Sequence, residues 1–81
     1  MFIVTQDGEH TVNMDEVEEI LTEHSNNEVI LKTKSGNRIL AAKYPHKGRK
    51  ALGKDMATLL RDYEYDKKVF MFSEDKGGSD E

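Results

Sequence analysis

The chain has no cysteine in its 81 residues, which removes disulfides and thiolate metal sites from consideration. Three dispersed histidines, His10, His24 and His46, form no ligand pattern to replace them, and no cofactor is expected. No apolar run exceeds four residues, against the roughly 18–20 that a membrane span requires. The opening Met1-Phe2-Ile3-Val4-Thr5 has neither a basic n-region nor a cleavage site, so no signal peptide is expected and the cytoplasm is the expected location. Tryptophan is absent and Pro45 is the sole proline. Tyr44 is the single aromatic residue between Lys32 and Arg61, too few for stacking on successive bases.

Charge is plentiful and unevenly placed. Residues 1–31 hold eight acids and no Lys or Arg, residues 32–61 hold nine basic residues and only Asp55 as an acid, and residues 62–81 hold seven acids and three lysines. An acidic–basic–acidic chain can neutralise itself across a fold. It can also present its middle block, net +8 from nine bases less one acid, to an acidic partner.

The apolar spacing predicts an α+β domain over residues 1–72, with a disordered acidic tail over 73–81. Phe2-Ile3-Val4-Thr5 and His10-Thr11-Val12-Asn13-Met14 flank Asp7-Gly8, which predicts strands at about 2–6 and 9–14 joined by a tight type I′ hairpin. Residues 15–24 read as a helix from composition, with Asn13 as cap and Glu16 in capping-box position. Residues 28–34 and 38–44 alternate around Ser35-Gly36-Asn37 and form a second hairpin, which Pro45 ends. Leu52, Met56, Leu59, Leu60 and Tyr63 then recur on one face at about 100° per residue, predicting a helix over about 47–64 with Lys47, Lys50, Lys54 and Arg61 on the other face. Gly53 within that helix suggests close approach to the sheet. Val69-Phe70-Met71-Phe72 closes the domain as a short strand. The expected architecture is a small antiparallel sheet of four to five strands packed against one C-terminal helix. The expected core is Phe2, Val4, Val12, Ile20, Val29, Leu31, Ile39, Leu52, Met56, Leu59, Leu60 and Phe70. A domain this small gains from burial at an interface, so a homodimer is expected, with residues 69–72 as its apolar edge.

The residues offer little catalytic chemistry. The spacing of Asp62, Glu64 and Asp66 opens like a calcium loop, but Lys67 stands where glycine is needed and Ser73 where glutamate is needed. Glu18, Glu19, Glu23 and Glu28 have no apolar neighbourhood to raise a carboxyl pKa. No nucleophile–base pattern occurs, and an enzyme is not expected. The one local cluster is His46-Lys47-Gly48-Arg49-Lys50, at a helix N-terminus but without P-loop spacing. The candidate partner- or anion-binding residues are Arg38, Lys43, His46, Lys47, Arg49, Lys50 and Lys54.

The run Met1-Phe2-Ile3-Val4-Thr5-Gln6-Asp7-Gly8 followed by Val12-Asn13-Met14-Asp15-Glu16-Val17 and Ile20 resembles a group of short, uncharacterised proteins of phages, prophages and low-GC Gram-positive bacteria. The likeness covers about residues 1–72. It implies a strand rather than a helix over 17–24, and brings no biochemical activity and no catalytic residue with it. Similar sequences open the helix with glutamates, where this chain has His46-Lys47-Gly48-Arg49-Lys50. The segregated charges motivate the expectation of a small non-enzymatic binding protein of phage or mobile-element type that acts on a host protein, with a host defence system as a candidate target. The alternative is a binder of nucleic acid or of a phosphorylated small molecule through the basic 32–61 block.

Overall fold

The computed structural model describes residues 1–73; all but Ser73 of the expected tail lies outside the described residues. Six strands and one helix follow in the order β1 (Phe2–Val4), β2 (Thr11–Asn13), β3 (Val17–Glu23), β4 (Glu28–Thr33), β5 (Arg38–Lys43), α1 (Arg49–Glu64) and β6 (Val69–Met71). The α+β class is as expected, but the strands form two three-stranded sheets, β2-β1-β6 and β3-β4-β5, rather than one. The first sheet is mixed. β1 and β2 are antiparallel, whereas β6 runs parallel to β1 because α1 has carried the chain back across the domain.

The first hairpin is wider than Asp7-Gly8 alone implies. Its strands are three residues each, and Thr5–His10 forms a loop closed by Thr5 N–H to the His10 carbonyl at 2.9 Å. Gly8 supplies the positive φ of 76°. The Thr5 hydroxyl donates to Asp7 Oδ1 at 2.6 Å and the Glu9 N–H to the same oxygen at 2.9 Å. Those two bonds hold the Asp7 carboxyl below its usual range.

Residues 15–24 are not a helix. Asn13 does cap, accepting the Asp15 N–H at 2.9 Å, but the capped element is one 3₁₀ turn, Met14–Glu16, and β3 follows. Cross-strand burial overrides the helix propensity of the glutamates. Ile20 pairs with Leu31 and Thr22 with Val29 on the inner face, while Glu19, Leu21 and Glu23 face outward.

The core contains Ile3, Val12, Val29, Leu31, Ala41, Ala42, Tyr44, Leu52, Leu59, Phe70 and Phe72. Ile20, Ile39 and Met56 are half-buried at its margin. Phe2 (47% exposed), Leu60 (60% exposed) and the half-buried Val4, on the face of β1 opposite Ile3, are not core residues. Phe2-Ile3-Val4 is uniformly apolar, so its spacing carries no parity. The pairing of Ile3 with both Val12 and Phe70 sets which side is inside. Phe72 meets Phe70 edge-to-face, ring centroids 4.9 Å apart. Both rings are buried, so the expected apolar edge reduces to Val69 and Met71.

A bulge ties the two sheets together. The β4–β5 register jumps from Val29↔Ala42 to Ile30↔Leu40, leaving Ala41 unpaired and turning two successive alanines inward. Gln6 takes up the groups this frees. Its N–H donates to the Ala41 carbonyl at 2.7 Å, and its Oε1 accepts the Lys43 N–H at 2.9 Å. Its Nε2 donates to the Ser73 carbonyl at 3.0 Å.

Gly53 does not mark a close approach to the sheet. It is exposed, and a Cβ there would meet nothing within 4 Å. Gly53→Ala is therefore expected to stabilise the domain by about 0.5–1 kcal/mol, through helix propensity and a less flexible unfolded chain. Urea unfolding should show a higher midpoint at unchanged slope.

Candidate functional site

Pairing across β3-β4-β5 undoes half of the charge segregation seen along the chain. The outward-facing side chains make three rows: Glu23, Glu28 and Lys43; Leu21, Ile30 and Leu40; Glu19, Lys32 and Arg38. Lys43 thus lies beside Glu28 and Lys32 beside Glu19, whereas Arg38 lies beside Lys32. Lys43 reaches Glu28 at 3.9 Å, the sole ion pair among the described residues. Arg38 and Lys43 stand at opposite ends of β5, roughly 16–17 Å apart along the strand, so they do not share one site.

The other candidates do come together. His46 and Lys47 are exposed in the turn before α1, Arg49 and Lys50 in its first turn, and Lys54 in its second. By helical spacing Lys50, Lys54 and Arg61 lie opposite the buried Leu52, Asp55 and Leu59. None of these cations lies within 4.0 Å of a carboxylate among the described residues. Among the described residues Lys32, Lys34 and Arg38 also have no carboxylate within 4.0 Å, but here five such residues gather with no acid between them in the chain.

The turn beneath these cations is fastened. Asn27, with φ of 51°, is buried; its Nδ2 donates to the carbonyls of Pro45 (2.9 Å) and His46 (3.1 Å), and its carbonyl accepts the Tyr44 N–H at 2.9 Å. Asparagine tolerates this left-handed conformation better than most residues. Gly48 donates to the Pro45 carbonyl at 2.7 Å and accepts the first helical bond from Leu52 at 3.0 Å. That turn delays the helix start from the expected Lys47 to Arg49. Glycine at 48 answers to packing rather than to ligand approach. The space beside its Cα is taken by Tyr44 Cβ and Pro45 Cδ, each 2.9 Å from where a Cβ would sit.

Asp55, absent from the sequence-derived candidates, fastens the helix. Its Oδ2 accepts the Tyr44 hydroxyl at 2.5 Å, the Ser73 hydroxyl at 2.7 Å and the Ser73 N–H at 3.0 Å. Burial, reinforced by the hydrogen bond and charge of Asp55, pushes the Tyr44 phenol far above its ordinary range. One signal was available in the sequence: the block's single acid falls between Leu52 and Leu59 on the apolar face.

His24, Ser25, Asn27, His46 and Arg49 line a shallow depression at the N-terminal end of α1. Among the described residues no three potential metal ligands cluster, and no helix is long and apolar enough to cross a membrane. Comparison of the chain with protein-family models, with curated proteins and with solved structures finds no match.

Proposed function

We propose that this chain is a small non-enzymatic binding protein that docks an acidic surface of another protein against the outer face of α1 and the turn before it. The observation that carries this reading is the contrast between two halves of one basic block. On the sheet Lys43 reaches Glu28 and Lys32 stands in register with Glu19, whereas His46, Lys47, Arg49, Lys50 and Lys54 project together, with no acid between them in the chain, from a hydrogen-bonded turn and helix. Unpaired cations on a fixed scaffold favour fast, oriented association with a complementary surface. The likeness to phage and prophage proteins makes a bacterial host protein the natural partner, with inhibition of a defence system as one outcome of such docking.

Nucleic acid is the weaker use of the same face. No aromatic side chain lies among these cations, and the neighbouring sheet carries Glu19, Glu23 and Glu28 outward. Reversing Lys47, Lys50 and Lys54 to glutamate is expected to weaken partner capture from host lysate roughly 10- to 100-fold while leaving the fold intact. Fluorescence titration with single- and double-stranded oligonucleotides at low salt separates the readings. Tight binding there, lost in the same triple variant, would replace the protein partner with nucleic acid.

A further inference from the structure

We propose that the exposed edge of β6 pairs with β6 of a second copy of this chain, giving a two-fold dimer with a continuous six-stranded sheet β2-β1-β6-β6-β1-β2. This inference is independent of the partner assigned to the basic helix face. The Phe2 N–H donates to the Lys68 carbonyl at 2.8 Å, which sets the parity of β6. In such a ladder alternate residues turn their backbone groups the same way, so Phe70 addresses β1 while Val69 and Met71 address the open side. Neither Val69 nor Met71 has another backbone partner among the described residues. Their side chains are 53% and 67% exposed.

That edge complements itself. With a two-fold axis at Phe70, Val69 of each copy lies opposite Met71 of the other. Both carry outward N–H and C=O groups, so each pair exchanges both of its bonds. The outer face of the sheet brings no charge to this edge. Its rows are Asn13, Phe2 and Val69, then Thr11, Val4 and Met71, none of them charged, in a chain that is 35% charged.

The exposed portions of Val69 and Met71, the side chains that adjoin the partner strand, amount to roughly 200 Å² per chain. Two copies therefore bury less than the ~1,200 Å² of a standard interface. The dimer is accordingly weak, with a dissociation constant on the order of 100 µM.

Sedimentation velocity on the full chain from about 10 µM to 1 mM tests this by mass action. Met71→Pro removes only an outward N–H, which an edge strand tolerates. Met71→Lys keeps the N–H and puts a charge into the uncharged face. The wild type is expected to pass from monomer to dimer and stop there, and both variants to shift association at least tenfold to higher concentration with unchanged far-UV circular dichroism. A wild type that stays monomeric throughout, or that grows beyond a dimer, would overturn the proposal. So would a folded Met71→Pro variant that associates like the wild type. Should that variant unfold, Met71→Lys decides: association at wild-type strength refutes the pairing.

Discussion

Asp55→Ala is expected to destabilise the domain by about 3–5 kcal/mol, as expected for removing one partner of a buried charged hydrogen-bond network. The substitution strands three donors at once: the Tyr44 hydroxyl, the Ser73 hydroxyl and the Ser73 N–H. A domain of this size has a few kcal/mol in reserve, so the variant should be largely unfolded at 25 °C by circular dichroism. Asp55→Asn retains an oxygen acceptor without the charge and should cost about 1–2 kcal/mol. Tyr44→Phe removes one donor and should cost about as much, with a pH signature of its own. The folded state holds the Tyr44 phenol protonated well above its ordinary pKa. That stability is therefore fully present below the unfolded pKa of about 10 and falls above it, by up to about 1.4 kcal/mol per pH unit. Denaturant unfolding of the wild type between about pH 10 and 11.5 should show this slope, and Tyr44→Phe should lack that component. Identical slopes in the two proteins would mean that the hydroxyl does not depend on Asp55 as described.

Gly48→Ala is expected to cost about 2–3 kcal/mol, at the upper end of overpacking effects. The added Cβ would lie 2.9 Å from both Tyr44 Cβ and Pro45 Cδ and 3.1 Å from the Pro45 carbonyl oxygen. None of these atoms is the free end of a flexible side chain, so relief requires the turn itself to move. The same substitution five residues later, Gly53→Ala, is expected to stabilise. Thermal unfolding of both variants therefore gives shifts of opposite sign. Because the turn carries His46 and Lys47 and leads into Arg49, Gly48→Ala should also weaken partner binding beyond its effect on stability, whereas Gly53→Ala should leave binding alone.

These two glycines illustrate what the sequence could and could not disclose. The 3.6-residue spacing of Leu52, Met56 and Leu59 was sufficient for the helix and its buried face. The alternation of β4 fixed Val29 and Leu31 as core. Parity in Phe2-Ile3-Val4 had no local signal, because three apolar residues in a row fit either face. The bulge at Ala41 depends on Gln6, 35 positions away, arriving to accept and donate there. For residues 17–23, local propensity and tertiary pairing disagreed, and pairing with β4 prevailed. The candidate site was half legible. A charge count along the chain found the basic block, but only strand pairing shows that Lys32 and Lys43 lie beside acids. The cations that gather with no acid between them in the chain are those on α1 and its leading turn.

That division is best tested by capture from host lysate with three baits, read by quantitative mass spectrometry: the wild type, a Lys47→Glu/Lys50→Glu/Lys54→Glu helix variant and a Lys32→Glu/Arg38→Glu hairpin variant. The expected result is a partner enriched by the wild type, retained within a few-fold by the hairpin variant, and lost by the helix variant. Retention by the helix variant, or equal loss from the hairpin variant while both remain folded, would contradict the assignment of binding to the helix face.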